Sequence, residues 1–349
     1  MSSIKGLSQE VLINLAHTER LDDNDRDQLL RLLGKSLSEE DSKDFLSILN
    51  GERLPSLSSD VIAKKIFDPE EHPDRLEFLL RKLSGEDDIK ISGSAKSESY
   101  VEFVDSKRMI HDISAYLEDG RISDTEVQVK AQDFIFPRMD LYGADLLLIQ
   151  YSKKTEKNRF SYNEAKGVLL VVLMVESPKA FKEYKTTPDR YIHRFGNHTA
   201  DSGLSYKPLC KSVYVQIDKA FKQLILGTDG EGDPELQVLL AAMKDINNPE
   251  VQKRMKDNNM LSEIFDDVKR LALDKEVQIM LLAEKYAMAD IATMRLNDRA
   301  EGRAEGRAEG EDRVTKLYRH LMSLGNTEDL EKAMNDKTYR EQLMKTLGL

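Results

Sequence analysis

The sequence has little of what secreted and membrane proteins rely on. Among 349 residues there is a single cysteine, Cys210, which excludes a disulfide framework and suits a reducing compartment. The longest apolar run, Val168 to Val175, is far too short to span a bilayer. The start, MSSIKGLSQEV, lacks the basic and apolar regions of a signal peptide. We therefore expect a cytoplasmic protein with no membrane partner.

Positive charge is also in short supply. The chain has 52 Lys and Arg against 63 Asp and Glu, a net charge of -11. Such a protein repels a polyanion overall, while contacts with phosphate need clustered Lys and Arg. Any path for nucleic acid on its surface must therefore be local. A hydrophobic content of 40% is enough for a core, in one large domain or two smaller ones.

The most informative stretch runs from Arg108 to Lys130, RMIHDISAYLEDGRISDTEVQVK. Its residues alternate in polarity on both sides of the turn Glu118-Asp119-Gly120, which predicts a β-hairpin. Because side chains alternate across a strand, Glu126, Gln128 and Lys130 share one face of the return strand.

The pairing register decides whether Asp112 joins that face. A two-residue turn would place Asp112 opposite Val127, whereas a three-residue loop with Gly120 in a left-handed conformation would place it opposite Glu126. We predict the three-residue loop. Two carboxylates and an amide then converge on a small volume that suits a hard divalent cation. The alternative is a solvent-exposed hairpin face whose polar residues have no joint role.

An aspartate, a hairpin turn and then Glu-x-Lys form the core of the PD-(D/E)XK nuclease superfamily, which this stretch resembles. Glu126-Val127-Gln128 is similar to the Glu-x-Gln variant of the bacterial recombination-promoting nucleases, a family also described as transposases. The resemblance covers roughly residues 55 to 290. The segments that carry it, in the family's order and spacing, are SSDVIAKKIFDPEEHPDRLEFLL, KRMIHDISAYLEDGRISDTEVQ, FPRMDLYGADLLLIQY, FSYNEAKGVLLVVLMVESPKAF, DRYIHRF and DSGLSYKPL.

The resemblance implies an α/β fold of the restriction-endonuclease-like type, with a mixed sheet flanked by helices and helical N- and C-terminal extensions. Gly167 to Val175 is apolar on both faces, as expected of a central strand. We divide the chain into a helical N-terminal appendage (1–55), the nuclease-like domain (56–230), a helical region (231–298), and a RAEG-repeat helix with C-terminal helices (299–349).

The resemblance also implies a metal-dependent DNA endonuclease that hydrolyses phosphodiester bonds and promotes recombination or mobile-element activity. Asp112, Glu126 and the carbonyl of Val127 would hold Mg²⁺ or Mn²⁺. Gln128 would orient the attacking water, although it lacks the charge of the family's usual lysine. Lys130 or Arg138 would then supply that charge.

A second set of candidates lies upstream of the hairpin. The pattern Asp60-x3-Lys64 resembles the family's first motif, so we assign Asp60 as an accessory acid and Lys64 as a substrate ligand. The alternative places Asp60 in a first helical turn, where the helix dipole favours it, and Lys64 in solvent. We assign Arg138, which follows Pro137 at a predicted helix start, as another substrate ligand; its alternative is a surface arginine.

Three alternatives stay open. The first is a catalytically weak or inactive nuclease fold kept as a DNA-binding or protein-interaction module, which the missing lysine and the acidic charge favour. The second concerns the repeat Arg299 to Gly310, whose opposed arginine and glutamate stripes either pair with a second copy in a homodimer or form a linker. The third is metal ligation by His193 and His198, which lie in a predicted loop and for which we favour no metal role.

Overall fold

A computed structural model describes residues 33–34, 37–95, 111–152, 165–196, 208–228 and 232–348. The side chains of 151–152, 295–300 and 304–309 are not part of this description. The first 32 residues of the predicted N-terminal appendage and His198 lie outside the described residues.

Six strands form one mixed sheet, which establishes the α/β class. The order across the sheet is β1-β2-β3-β4-β6-β5, and β3, β4 and β6 are parallel to one another. The pairs β1–β2, β2–β3 and β5–β6 are antiparallel. The strands are β1 (Ile91–Ser94), β2 (Ile113–Leu117), β3 (Ile122–Gln128), β4 (Val168–Met174), β5 (Ile192–Phe195) and β6 (Cys210–Gln216).

Helices precede and follow β4 along the chain. Those before β4 are α1 (Glu39–Leu49), α2 (Asp60–Ile66), α3 (Pro73–Ser84) and α4 (Ile135–Ser152). Those after β4 are α5 (Lys179–Lys182), α6 (Ile217–Leu226), α7 (Pro234–Asp245), α8 (Pro249–Lys256), α9 (Asn259–Leu273), α10 (Lys275–Ser323), α11 (Thr327–Asn335) and α12 (Lys337–Leu347). Within the described ranges, no helix combines the length and apolar character needed to cross a lipid bilayer.

The centre of the sheet follows from the apolar run in the sequence. Every residue of β4 is buried, as predicted for Gly167 to Val175. A strand that pairs with parallel neighbours on both sides and is covered on both faces needs apolar side chains in both directions. The fourth strand therefore anchors the sheet, and the polar residues of β3 lie directly beside it.

The β2–β3 hairpin has the predicted register. Ser114 pairs with Asp124 and Ile113 with Thr125, so the same register places Asp112 opposite Glu126. The connecting loop has three residues, and Gly120 adopts φ 86°, a left-handed conformation that glycine accepts without strain. The three-residue loop is thus confirmed. It matters because a slip by one residue would turn Asp112 to the opposite face.

Helix α4 lies close against the face of the sheet that carries Glu126. An ideal Cβ added at Gly143 would lie 2.6 Å from Sγ of Cys210, so only glycine permits this approach. Tyr142 and Asp145 are buried, but Leu141 and Leu148 are 56% and 54% exposed. Their spacing predicts one shared helix face, but only Tyr142 and Asp145 face the interior.

The start of α2 is capped by a distant residue. The side chain of Ser59, at the N-cap position, accepts no hydrogen bond from the first turn. Instead, Oε1 of Glu284 accepts a hydrogen bond of 2.8 Å from the amide of Asp60. A distant carboxylate thereby satisfies a donor that the helix leaves unpaired.

The described residues up to Glu284 form one compact unit, and Lys285–Leu349 form another. In the second unit Leu317, Leu321, Ala333 and Met344 build a small core. The sequence pattern predicts one last helix from Glu328 to Leu347, but it is interrupted at Asp336, whose extended backbone ends α11 and whose side chain caps α12. Helix α10 continues through the RAEG repeat. Our four-segment division and the homodimer stay predictions.

Candidate active site

Two opposing carboxylates occupy the open end of the β2–β3 pair. The amide of Asp112 donates to Oε1 of Glu126 at 3.2 Å, and the amide of Val127 donates to Oδ2 of Asp112 at 2.9 Å. Glu126 is only 1% exposed and Gln128 7%. The alternative of a solvent-exposed hairpin face is therefore wrong. Burying acidic and amide groups is costly unless they are paired, so this polar cluster needs an explanation.

Three further buried residues join the cluster, and the sequence analysis missed them. Nδ1 of His111 lies 2.8 Å from Oδ2 of Asp124, and its Nε2 lies 3.3 Å from Oδ2 of Asp145. Asp124 also accepts a hydrogen bond of 2.9 Å from Ser114. His111, Asp124 and Asp145 are each at most 2% exposed. The site is thus a network of two carboxylates on β3, the carboxylate of Asp112 just before β2, one helix carboxylate and an imidazole.

Two of these residues could have been found from the sequence. Asp124 lies two positions before Glu126, so the alternation that we applied to Gln128 and Lys130 also assigns it to the same face. Asp145 follows Tyr142 by one helical turn. His111 carries no such signal, because it lies before β2 begins and only the folded chain turns its ring toward Asp124.

Arg138, near the start of α4, reaches the cluster as its position predicted. Nη2 lies 3.7 Å from Oε2 of Glu126. The guanidinium donates to Oε1 of Gln128 at 3.2 Å, to Oε1 of Gln132 at 3.1 Å and to the hydroxyl of Tyr142 at 2.8 Å. Gln128 also approaches Glu126, with Nε2 at 3.5 Å from Oε2. Arg138 is therefore a cation held at the edge of the acidic cluster.

The other two predicted cations are Lys130 and Lys64. Lys130 is exposed beyond the end of β3 and forms no ion pair with any residue in the described ranges. Lys64 pairs with Asp60 at 2.8 Å across one turn of α2. Both charges act on the pKa of Asp112, which Asp60 raises and Lys64 lowers. The charges on α2 thus influence the protonation of Asp112.

The carboxylates hold their protons unusually tightly. Burial, with the charges of Asp124 and Asp112, raises the pKa of Glu126 from 4.5 to about 9, although Arg138 opposes this change. Burial also raises the pKa of Asp112 from 3.8 to about 6. For His111, burial lowers the pKa, but the hydrogen bonds and charges of Asp124 and Asp145 exceed it and raise the pKa above 6.5. The positive charges of Arg138 and Lys64 do not offset the effect of burial on the pKa values of Glu126 and Asp112.

The residues present fit a divalent cation. His111, Asp124 and Glu126 each offer a ligand atom, and these atoms lie within 4.8 Å of one another. This group shares Glu126 with the predicted set of Asp112, Glu126 and the carbonyl of Val127. A cation would offset the same crowding of negative charge that raises the pKa of Glu126, and carboxylate oxygens are preferred by Mg²⁺ and Mn²⁺.

His193 lies outside this site. It is part of β5, so the predicted loop is wrong at this position. Its Nε2 lies 3.0 Å from Oε1 of Gln216, which gives the ring a structural partner.

Comparison with known proteins finds no match to a family model, to a curated protein or to a solved structure.

Proposed function

We propose that the protein is a metal-dependent deoxyribonuclease of the restriction-endonuclease-like fold, acting in the cytoplasm in recombination or mobile-element activity. One observation carries the proposal. Asp112 and Glu126 face each other in the register that a Glu-x-Gln nuclease hairpin requires, with Arg138 beside them. A purely structural cluster gives no reason for burying the carboxylates of Asp124, Glu126 and Asp145 in one place.

Asp112, Glu126 and the carbonyl of Val127 would hold the cation, with Asp124 behind them. When bound, a divalent cation would lower the pKa of a water molecule and offset the charge that builds on the phosphate oxygens. His111 and Ser114 fix the carboxylate of Asp124 by hydrogen bonds. The acidic side chains are thus held in place before any substrate arrives.

The remaining residues act on the phosphate and the water. The side-chain amide of Gln128 can donate and accept hydrogen bonds, so it orients the attacking water without activating it by charge. The guanidinium of Arg138 provides the positive charge that the family's lysine would supply, and its planar donors match the oxygens of a phosphate. Tyr142 and Gln132 hold this guanidinium at the edge of the cluster.

Nicking of supercoiled plasmid DNA tests the proposal. Wild type, Asp112→Ala and the control Asp266→Ala would be assayed with Mg²⁺, Mn²⁺, Ca²⁺ or chelator; Asp266 is exposed on α9. We expect nicking with Mg²⁺ or Mn²⁺ by the wild type and the control, and none by Asp112→Ala. Nicking that survives chelation or the Asp112 substitution would refute the proposal.

A second candidate is an inactive nuclease fold that binds DNA or a protein partner. It is favoured by Gln128, whose amide reaches Glu126 at 3.5 Å where a lysine would place a positive charge. The same assay separates the two candidates. A folded protein that nicks DNA with none of the metals, yet binds DNA without metal, would be the binding module.

A further inference from the structure

A cavity of about 410 Å³ opens between the start of α4 and the edge strand β5. It is enclosed by the first turn of α4, by α5 with the segment that follows it, and by the edge strand β5. A volume of this size lies within the range of ligand pockets. None of its lining residues has a role in the mechanism proposed above.

The walls of this cavity are largely aromatic. The rings of Phe136 and Phe181 are stacked with centroids 5.4 Å apart, and Phe195 meets Phe136 edge-on at 5.7 Å. Phe195 and Tyr184 are each 48% exposed. Half-exposed rings in a concave site offer flat apolar faces to a planar ligand, which the protein's own side chains do not cover.

The chain around the cavity is basic in an otherwise acidic protein. Residues 179 to 194 contain five Lys or Arg and two Asp or Glu, whereas the whole chain has a net charge of -11. Arg190 and Arg194 contribute to the lining. This segment is the kind of local cationic path that an acidic protein needs in order to approach a polyanion.

The cavity and the acidic cluster share the start of α4. Phe136 contacts the ring of Tyr214 on β6 at 5.0 Å, while Arg138, two residues later, reaches Glu126 on β3. Residues two apart on a helix point to nearly opposite sides. The strands β3 and β5 are separated by three strand spacings, about 14 Å. A nucleic-acid strand at the cluster can therefore reach the cavity within a few nucleotides.

We propose that this cavity receives an unpaired nucleobase of the DNA strand whose phosphate lies at Asp112 and Glu126, so that the substrate is single-stranded or locally unwound DNA. The inference rests on the proposed nuclease function, whose substrate class it names. Aromatic walls bind any base through its π-face, and cations beside them bind the backbone. A paired base inside a duplex cannot enter such a pocket without leaving the stack.

Binding measurements under non-cleaving conditions test the inference. The anisotropy of a fluorescent oligothymidylate would be compared with that of an abasic strand of equal length and charge, in chelator. We expect the wild type to bind the base-bearing strand about tenfold more tightly, because each stacked base contributes appreciably to affinity. Equal affinities for the two strands would overturn the proposal.

Substitutions in the cavity test whether the preference for the base-bearing strand arises there. Tyr184→Ala should abolish the advantage of the base-bearing strand while binding of the abasic strand is unchanged, and Tyr184→Phe should retain the advantage. Phe195→Ala should act like Tyr184→Ala, whereas Leu226→Ala, which removes a side chain that is 63% exposed outside the cavity, should bind like the wild type. A base advantage that persists in both alanine variants would refute the assignment to this cavity.

The base-pocket proposal and the nuclease proposal can fail independently of each other. Metal-dependent nicking without any preference for base-bearing strands would overturn the base pocket and leave the nuclease intact. A preference for base-bearing strands that requires Tyr184, in a protein that never nicks DNA, would support the pocket and remove the nuclease.

Discussion

His111 joins Asp124 on β3 to Asp145 on α4, with Nδ1 at 2.8 Å from the first carboxylate and Nε2 at 3.3 Å from the second. All three residues are buried, so the imidazole fixes the helix to the sheet at the level of the acidic cluster. The ring also meets Tyr142 edge-on at 5.1 Å, and Tyr142 accepts a hydrogen bond from Arg138. His111, Tyr142 and Arg138 thus form one continuous series of contacts.

Replacing His111 should destabilise the folded protein. We expect His111→Asn to lower the free energy of unfolding by about 3 kcal/mol, because two buried carboxylates lose their shared partner. Urea denaturation measures the change. His320→Asn, at an exposed position on α10, should change stability by less than about 0.5 kcal/mol. Equal stabilities of His111→Asn and the wild type would contradict a supporting role for the ring.

The raised pKa of Glu126 predicts how stability depends on pH without metal. The folded-state pKa of about 9 exceeds the ordinary 4.5, so the folded protein binds the extra proton. Its stabilising contribution is complete below pH 4.5 and is lost as pH rises toward about 9, with a slope of up to about 1.4 kcal/mol per pH unit. Glu126→Gln should lack this loss, so in chelator the variant should exceed the wild type in stability near the upper end of that range.

A bound divalent cation should stabilise the wild type more than Glu126→Gln. A cation that binds only the folded state stabilises it by mass action, and it needs the ionised Glu126. Thermal melting of both proteins, with Mg²⁺ or with chelator, measures the effect. We expect Mg²⁺ to raise the Tm of the wild type more than that of Glu126→Gln. An equal Mg²⁺ effect on both proteins would show that Glu126 is not a ligand.

Gln128→Lys should restore the charge that a nuclease hairpin usually carries. The new ammonium would lower the pKa of Glu126 and stabilise charge on the phosphate, so plasmid nicking should be at least about tenfold faster. Gln342→Lys, an exposed change of equal charge on α12, is the control for nonspecific attraction of DNA. If both variants accelerate nicking equally, position 128 has no special role.

The close approach of α4 to the sheet predicts coupling between Gly143 and Cys210. Gly143→Ala should destabilise by about 1–2 kcal/mol, because a Cβ there would lie 2.6 Å from Sγ of Cys210 and the clash outweighs the gain in helix propensity. In a Cys210→Ala background the same change should be neutral or stabilising. A double-mutant cycle measures the interaction, and additive effects would contradict the contact.

Much of the scaffold could be predicted from local chemistry. The apolar run of β4 identified the central strand, and the Glu118-Asp119-Gly120 turn predicted the hairpin register that places Asp112 opposite Glu126. Pro73 followed by four leucines at helical spacing is a local signal for α3, and these leucines are buried. These features depend on neighbours along the chain or across one turn, where period and propensity carry the information.

Other features required the folded chain. The interruption at Asp336 and the strand at His193 depend on weak local signals that packing decides. The capping of α2 by Glu284 joins residues more than 220 positions apart, and no local pattern encodes it. The same holds for the cavity beside α4, because its walls come from the start of α4 and from residues 180 to 195, more than 40 positions further along the chain.

The sequence by itself determined the central apolar strand, the hairpin register and the face shared by Glu126 and Gln128, because alternation and turn geometry act over a few residues. Only the tertiary structure decided that His111 lies between Asp124 and Asp145 and that Arg138 reaches Glu126. Those contacts form when α4 packs on the sheet. The burial that follows is what raises the pKa of the carboxylates.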